Sequence, residues 1–158
     1  MSSPLRIYLA GPEVFLPDAH AIGQEKLRLA AEAGFEGVFP LDASLDLTGL
    51  DPLEQARRIA LANEGLIASC DVLIANLTPF RGIAADVGTC FELGYMCAQG
   101  KLAYGYTNVT ADMAARTIAH FGGVTTTKPD GRLRGPDGCL IEDVDMIDNL
   151  MMQGGIER

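Results

Sequence analysis

Two short apolar runs, Leu5 to Ala10 (LRIYLA) and Asp71 to Leu77 (DVLIANL), constrain the fold more than any other feature of this 158-residue chain. Each is hydrophobic at consecutive rather than alternate positions over most of its length, and each stops at a breaker, Gly11-Pro12 or Thr78-Pro79. A strand that is apolar on both faces has to be covered on both faces, which is the situation of a parallel strand inside an α/β sheet. Leu102 to Tyr106 reads as a third, weaker strand, and Gly37 to Pro40 as a fourth at an edge.

Helical stretches separate these strands. The clearest begins at Asp51-Pro52-Leu53-Glu54, with an N-cap, a proline at the first helical position and a glutamate three residues after the cap, and runs to about Ser69. Helices also fit Asp18 to Ala33, Val87 to Gln99 and Thr110 to Phe121. Strand alternating with helix calls for a parallel sheet with helices on both faces. Residues 122–138 carry five glycines and two prolines among polar residues and read as an exposed loop. Apolar character resumes at Cys139-Leu140-Ile141 and at Met146 to Met152. With no linker or repeat visible, a single α/β domain over residues 1–158 is expected, and 48% hydrophobic residues suffice for its core.

The 21 acidic residues outnumber the 12 basic ones, giving a net charge of −9, and the basic residues form no stripe. Such a surface disfavours nucleic-acid polymers and anionic membranes as partners and leaves uncharged small molecules unopposed. No apolar run reaches the roughly 20 residues that cross a bilayer. Four cysteines without a CxxC pair, after a start that lacks a signal stretch, point to a soluble protein of the reducing cytoplasm. His20 and His120 are isolated, and no cluster has metal-ligand spacing, so neither a metal nor an organic cofactor is expected. Nucleophile elbow, Walker loop and GxGxxG are all absent from the sequence.

The segment Asp86-Val87-Gly88-Thr89-Cys90-Phe91-Glu92-Leu93-Gly94 carries the most chemistry. Glu92 sits among apolar residues near the start of a helix that follows a strand, where ionisation is costly unless compensated. The helix dipole offers part of that compensation, and the carboxyl ends of parallel strands are where such sheets bind ligands. Read alone, Glu92 is equally a helix-surface glutamate, Asp86 an N-cap, Tyr8 a core tyrosine, and Asn63 and Asn76 loop or cap residues.

Taken together, Ile7-Tyr8-Leu9-Ala10-Gly11-Pro12, the run from Ala75 to Gly82, the run from Asp86 to Gly94 and Asp148-Asn149-Leu150-Met151 resemble nucleoside 2-deoxyribosyltransferases in order and spacing. The resemblance implies a flavodoxin-like fold and a double displacement in which Glu92 attacks C1′ of a 2′-deoxynucleoside and passes the sugar to a second free nucleobase. It implies that Tyr8 orients Glu92, that Asp86 binds the 5′-hydroxyl, and that Gly11, Phe15 and Asn63 belong to the substrate site. Asn149 and Met151 would come from a neighbouring subunit, making the protein a homo-oligomer. Asn63 stands where many relatives carry an aspartate, and an amide hydrogen-bonds a base without serving as its general acid. The chain reaches Gly154-Gly155-Ile156-Glu157-Arg158 soon after the Asn-Leu-Met motif, where relatives often continue, so a terminal helix is expected to be missing.

Two rival functions follow from the same residues. A deoxynucleoside or deoxynucleotide N-glycosidic hydrolase would share the nucleophile, but the 5′-monophosphate hydrolases have a serine where this chain has Asp86, whose charge repels a phosphate. A non-catalytic nucleotide- or base-sensing module would use the same sheet without needing Glu92.

Overall fold

The structure is a computed structural model and describes residues 3–42 and 45–156; the expectations that touch Met1, Ser2, Glu157 and Arg158 lie outside the described residues. Four parallel strands, β1 (Arg6–Ala10), β2 (Glu36–Val38), β3 (Val72–Asn76) and β4 (Leu102–Tyr106), form one sheet in the order β2-β1-β3-β4. This is the flavodoxin-like doubly wound order expected, with β2 at an edge. In register, Tyr8 stands between Val38 of β2 and Leu73 of β3, so β1 lies inside the sheet.

Strand parity then sorts the core into two layers. Tyr8, Ala10, Leu73, Ala75 and Ala103 face α2 (Pro52–Ala68) and α3 (Val87–Ala98), which contribute Ile67, Leu93 and Met96. Ile7, Leu9 and Val72 face the other way, where Leu27 of α1 (Ala19–Glu32) packs with Phe39. Because β1 and β3 feed both layers, apolar residues at successive positions are what the fold demands of them. Leu93 and Met96 are almost fully buried, worth about 1.5–3 kcal/mol each in removal from water, and they fix α3 against the sheet.

The helix boundaries follow from their caps. Asp51 accepts the Glu54 amide at 2.9 Å, while the Glu54 side chain turns to Arg58 at 3.2 Å, so the cap forms in the forward direction. Asp86 accepts the Thr89 amide at 2.9 Å and starts α3 at Val87. α4 (Met113–His120) begins three residues later than the sequence suggested, because Asp112 takes the N-cap and bonds the Ala115 amide at 2.6 Å.

Two expectations are corrected. Residues 122–138 are exposed but not wholly irregular, since β5 (Thr126–Thr127) and β6 (Leu133–Arg134) pair antiparallel around a turn that uses Gly131 at φ 76°. Strands of two residues carry no readable period, and the glycines that signalled a loop serve its turns. A terminal helix is present: α5 (Leu150–Ile156) starts inside the Asn-Leu-Met motif and packs on α3 and β4. Its first turn is held by Glu142, which accepts the Leu150 amide at 2.7 Å. Among the described residues no helix is long and apolar enough to cross a membrane.

Candidate active site

Strand order reverses between β1 and β3, and Glu92, whose carboxyl burial pushes well above the usual range, is at that point. Glu92, on the second turn of α3, accepts a hydrogen bond from the Tyr8 hydroxyl at 2.7 Å on Oε1. Tyr8 is fully buried on β1, so its ring is immobilised by the core and its hydroxyl has a fixed direction. Oε2 of Glu92 accepts no hydrogen bond among the described residues and is the oxygen left for a ligand. Glu92 lines a cleft of about 340 Å³ between α2 and α3 with Asn63, Ile67, Gly88 and Phe91. That volume lies at the small end of the roughly 300–1,000 Å³ of small-ligand sites.

Burial pushes the Glu92 carboxyl up to about 7; the Tyr8 hydrogen bond opposes this, and the nearby charge of Asp86 adds to it. The Tyr8 hydroxyl is pushed up in turn by burial and by Glu92, and so stays a donor. The site thus holds a carboxylate whose charge is disfavoured by burial beside a phenol that stays protonated. This state suits a nucleophile more than a structural ion pair, since no cation faces Glu92 among the described residues. Replacing Tyr8 by Phe is expected to move the acid limb of the pH–rate profile upward by roughly one to two units, the worth of a hydrogen bond to a charged group. An unchanged limb would show that Tyr8 does not tune Glu92.

Asp86 is the N-cap of α3, as expected. Its cap uses Oδ2, which also takes the Thr89 hydroxyl at 3.2 Å, whereas Oδ1 accepts no hydrogen bond among the described residues. Asn63 lines the same cleft as Glu92. Phe15 does not line that cleft; it stands 53% exposed and stacks on Phe80 at 5.5 Å, with the Arg81 guanidinium over both rings. Asn149 and Met151 do not reach Glu92 within the chain either. Met151 is 74% exposed, and Asn149 donates to Glu142 at 3.1 Å and accepts the Met151 amide at 3.0 Å.

Gly11 has a reason that the sequence did not show. It opens the turn after β1 in extended backbone, and a Cβ there would fall 2.0 Å from Glu13 Oε2 and 3.0 Å from the Asn76 Cβ. Glu13 is itself pinned. Its Oε1 is paired with Lys26 and accepts Asn76 Nδ2 at 2.8 Å. Burial raises its carboxyl, but the hydrogen bonds from Lys26 and Asn76 outweigh that and hold it below the usual range. Gly11→Ala is therefore expected to cost about 1–3 kcal/mol in denaturant unfolding, the cost of overpacking a fixed environment. An unchanged midpoint would mean that Glu13 yields.

Sequence reasoning missed Phe91 and Gly88 in the cleft, Glu142 behind Asn149, and the Glu13–Lys26 pair. The first two lie inside the segment already singled out and were available from helical spacing around Glu92. The pairings join segments distant in the chain and left no local signal.

Comparison with known proteins accords with this geometry. The family model described as "Nucleoside 2-deoxyribosyltransferase" matches residues 7–151. An uncharacterized protein of Schizosaccharomyces pombe is 32% identical over 160 residues, covering 95% of this chain and 76% of its own length. The solved structure of a 2-deoxyribosyltransferase from Leishmania mexicana superposes with a TM-score of 0.66 at 29% identity, covering 94% of this chain and 85% of that one. A 2-deoxyribosyltransferase from Bacillus psychrosaccharolyticus shares the fold, with a TM-score of 0.55 at 18% identity over 68% of this chain and 77% of that one.

Proposed function

The chain belongs to the nucleoside 2-deoxyribosyltransferase family, and on that premise we propose that it moves 2-deoxyribose between nucleobases through a covalent deoxyribosyl–Glu92 intermediate. The observation that carries this reading is the partly buried Glu92 carboxylate, held by Tyr8 at 2.7 Å on one oxygen and lining a cleft of about 340 Å³. Glu92 Oε2 bonds to C1′ as the C1′–N bond breaks, and the bonding pair leaves with the base nitrogen, which takes a proton. A nitrogen of the second base then attacks C1′, loses its proton, and returns the pair to Glu92. Two inversions give net retention.

Each neighbour has a part in these steps. The Tyr8 hydroxyl holds Oε1, which leaves the lone pairs of Oε2 directed at C1′, and it stabilises the carboxylate as it departs. Asp86 Oδ1 takes a sugar hydroxyl, the 5′-hydroxyl by the family's pattern. The amide of Asn63 hydrogen-bonds the base without donating the proton, which comes from water. By the family's pattern Gly11 and Phe15 belong to the substrate site outside the Glu92 cleft, and Asn149 and Met151 of a neighbouring copy close it. The high exposure of Met151, which does not line its own chain's Glu92 cleft, supports that sharing.

The test is incubation with deoxyinosine and free adenine, following deoxyadenosine and free deoxyribose by chromatography, for the parent protein and Glu92→Ala. Deoxyadenosine formed only by the parent is the expected result. Free deoxyribose alone would replace transfer by hydrolysis, and no product from purine or pyrimidine donors would leave a sensing module.

A further inference from the structure

Asp148 is 1% exposed, on an irregular segment where nothing in the local structure obliges a carboxylate to be buried. Its partner is Arg116 of α4, with a side chain 10% exposed and Nη2 3.2 Å from Oδ2. Neither residue lines the Glu92 cleft. Apart from a weak contact of Arg116 Nη2 with Met113 Sδ at 3.6 Å, their remaining hydrogen bonds go to backbone. Arg116 Nε donates to the Ile83 carbonyl at 2.7 Å and Nη1 to the Ala111 carbonyl at 2.6 Å. Asp148 Oδ2 accepts the Ala85 amide at 3.1 Å, and Oδ1 accepts the Asn149 amide at 2.8 Å.

A buried ion pair is a poor source of stability, since desolvation consumes most of the attraction and apolar residues of similar volume do as well. What apolar residues lack is the ability to fix the direction of particular amides and carbonyls. Here the fixed groups are Ile83 and Ala85, three residues and one residue before Asp86, together with Ala111 and Asn149. The pair therefore spans the loop that delivers Asp86 to the start of α3 and the motif that leads to Met151.

We propose that Arg116 and Asp148 are a positioning pair that sets the Asp86 carboxylate, and with it recognition of the sugar's 5′-hydroxyl. This rests on the reading that Asp86 takes that hydroxyl.

The test compares kcat/KM for deoxyinosine and for the same donor lacking its 5′-hydroxyl, in the parent, Asp86→Ala, Asp148→Asn and Arg116→Lys, with folding checked by circular dichroism. The parent should prefer the hydroxyl-bearing donor by about tenfold or more, as expected for a hydrogen bond to a charged group. Both pair variants should lose about that factor on deoxyinosine and little on the dideoxy donor, so that the preference collapses as in Asp86→Ala. Arg116→Lys keeps the charge and gives up the guanidinium fork, so it serves if Asp148→Asn fails to fold. Equal losses on both donors, or a preserved preference in the pair variants while Asp86→Ala abolishes it, would overturn the pair's role alone. A preference untouched by Asp86→Ala would overturn the reading of Asp86 and the proposal with it.

Discussion

Glu92→Gln is expected to abolish base exchange, by roughly 10⁴-fold or more, as loss of a covalent nucleophile does. The same substitution should stabilise the fold. In the native protein the Glu92 carboxyl sits at about 7, against an ordinary value of 4.5, because burial disfavours its charge. Between those two values the unfolded chain releases a proton that the native protein keeps. Stability therefore falls as pH rises through this window, by about 3 kcal/mol in all at 1.36 kcal/mol per unit. Glutamine does not ionise, so the variant should match the parent near pH 4.5 and exceed it above pH 7. A variant inactive and also less stable at pH 8 would mean that the ionised side chain supports the fold, which the account denies.

The second large effect is in the pH dependence of the parent. If the free protein must present Glu92 as a carboxylate, kcat/KM should fall about tenfold per unit below pH 7, or roughly a hundredfold between pH 7 and pH 5. The limb belongs to the unliganded protein and should be the same for every 2′-deoxynucleoside whose base does not titrate in that range. A limb near the ordinary glutamate value of 4.5 would contradict the burial argument even if Glu92 proved catalytic.

How much of this was legible in the sequence depended on how local the signal was. β1 and β3 were readable because a strand with both faces covered needs apolar residues at successive positions, and Ile7, Tyr8, Leu73 and Ala75 supply them. The pairing of Tyr8 with Glu92 was reached through the family resemblance, since 84 residues separate the two and no spacing rule links them. Asp86 was read as a cap from its place before α3, and it is one. By contrast, Asp148 sat in a recognised motif without its burial or its partner being visible, because Arg116 meets it only once α4 is folded against the 83–85 loop. Glu13 was not singled out in the sequence at all, because only the packing of α1 brings Lys26 to it. The N-cap of α4 was missed because Thr110 and Asp112 are both competent caps, and the contact of the Met113 amide with the Met146 carbonyl at 3.0 Å accompanies the later start.

The most direct test of the central claim is to mix the protein with a 2′-deoxynucleoside in the absence of acceptor base, quench within the first turnovers, and map the mass of the digested chain. The account predicts one added deoxyribosyl group on the peptide that contains Glu92, absent when an acceptor base is present in excess and absent from Glu92→Gln. Base release that proceeds with no adduct, or an adduct on any other residue, would contradict it.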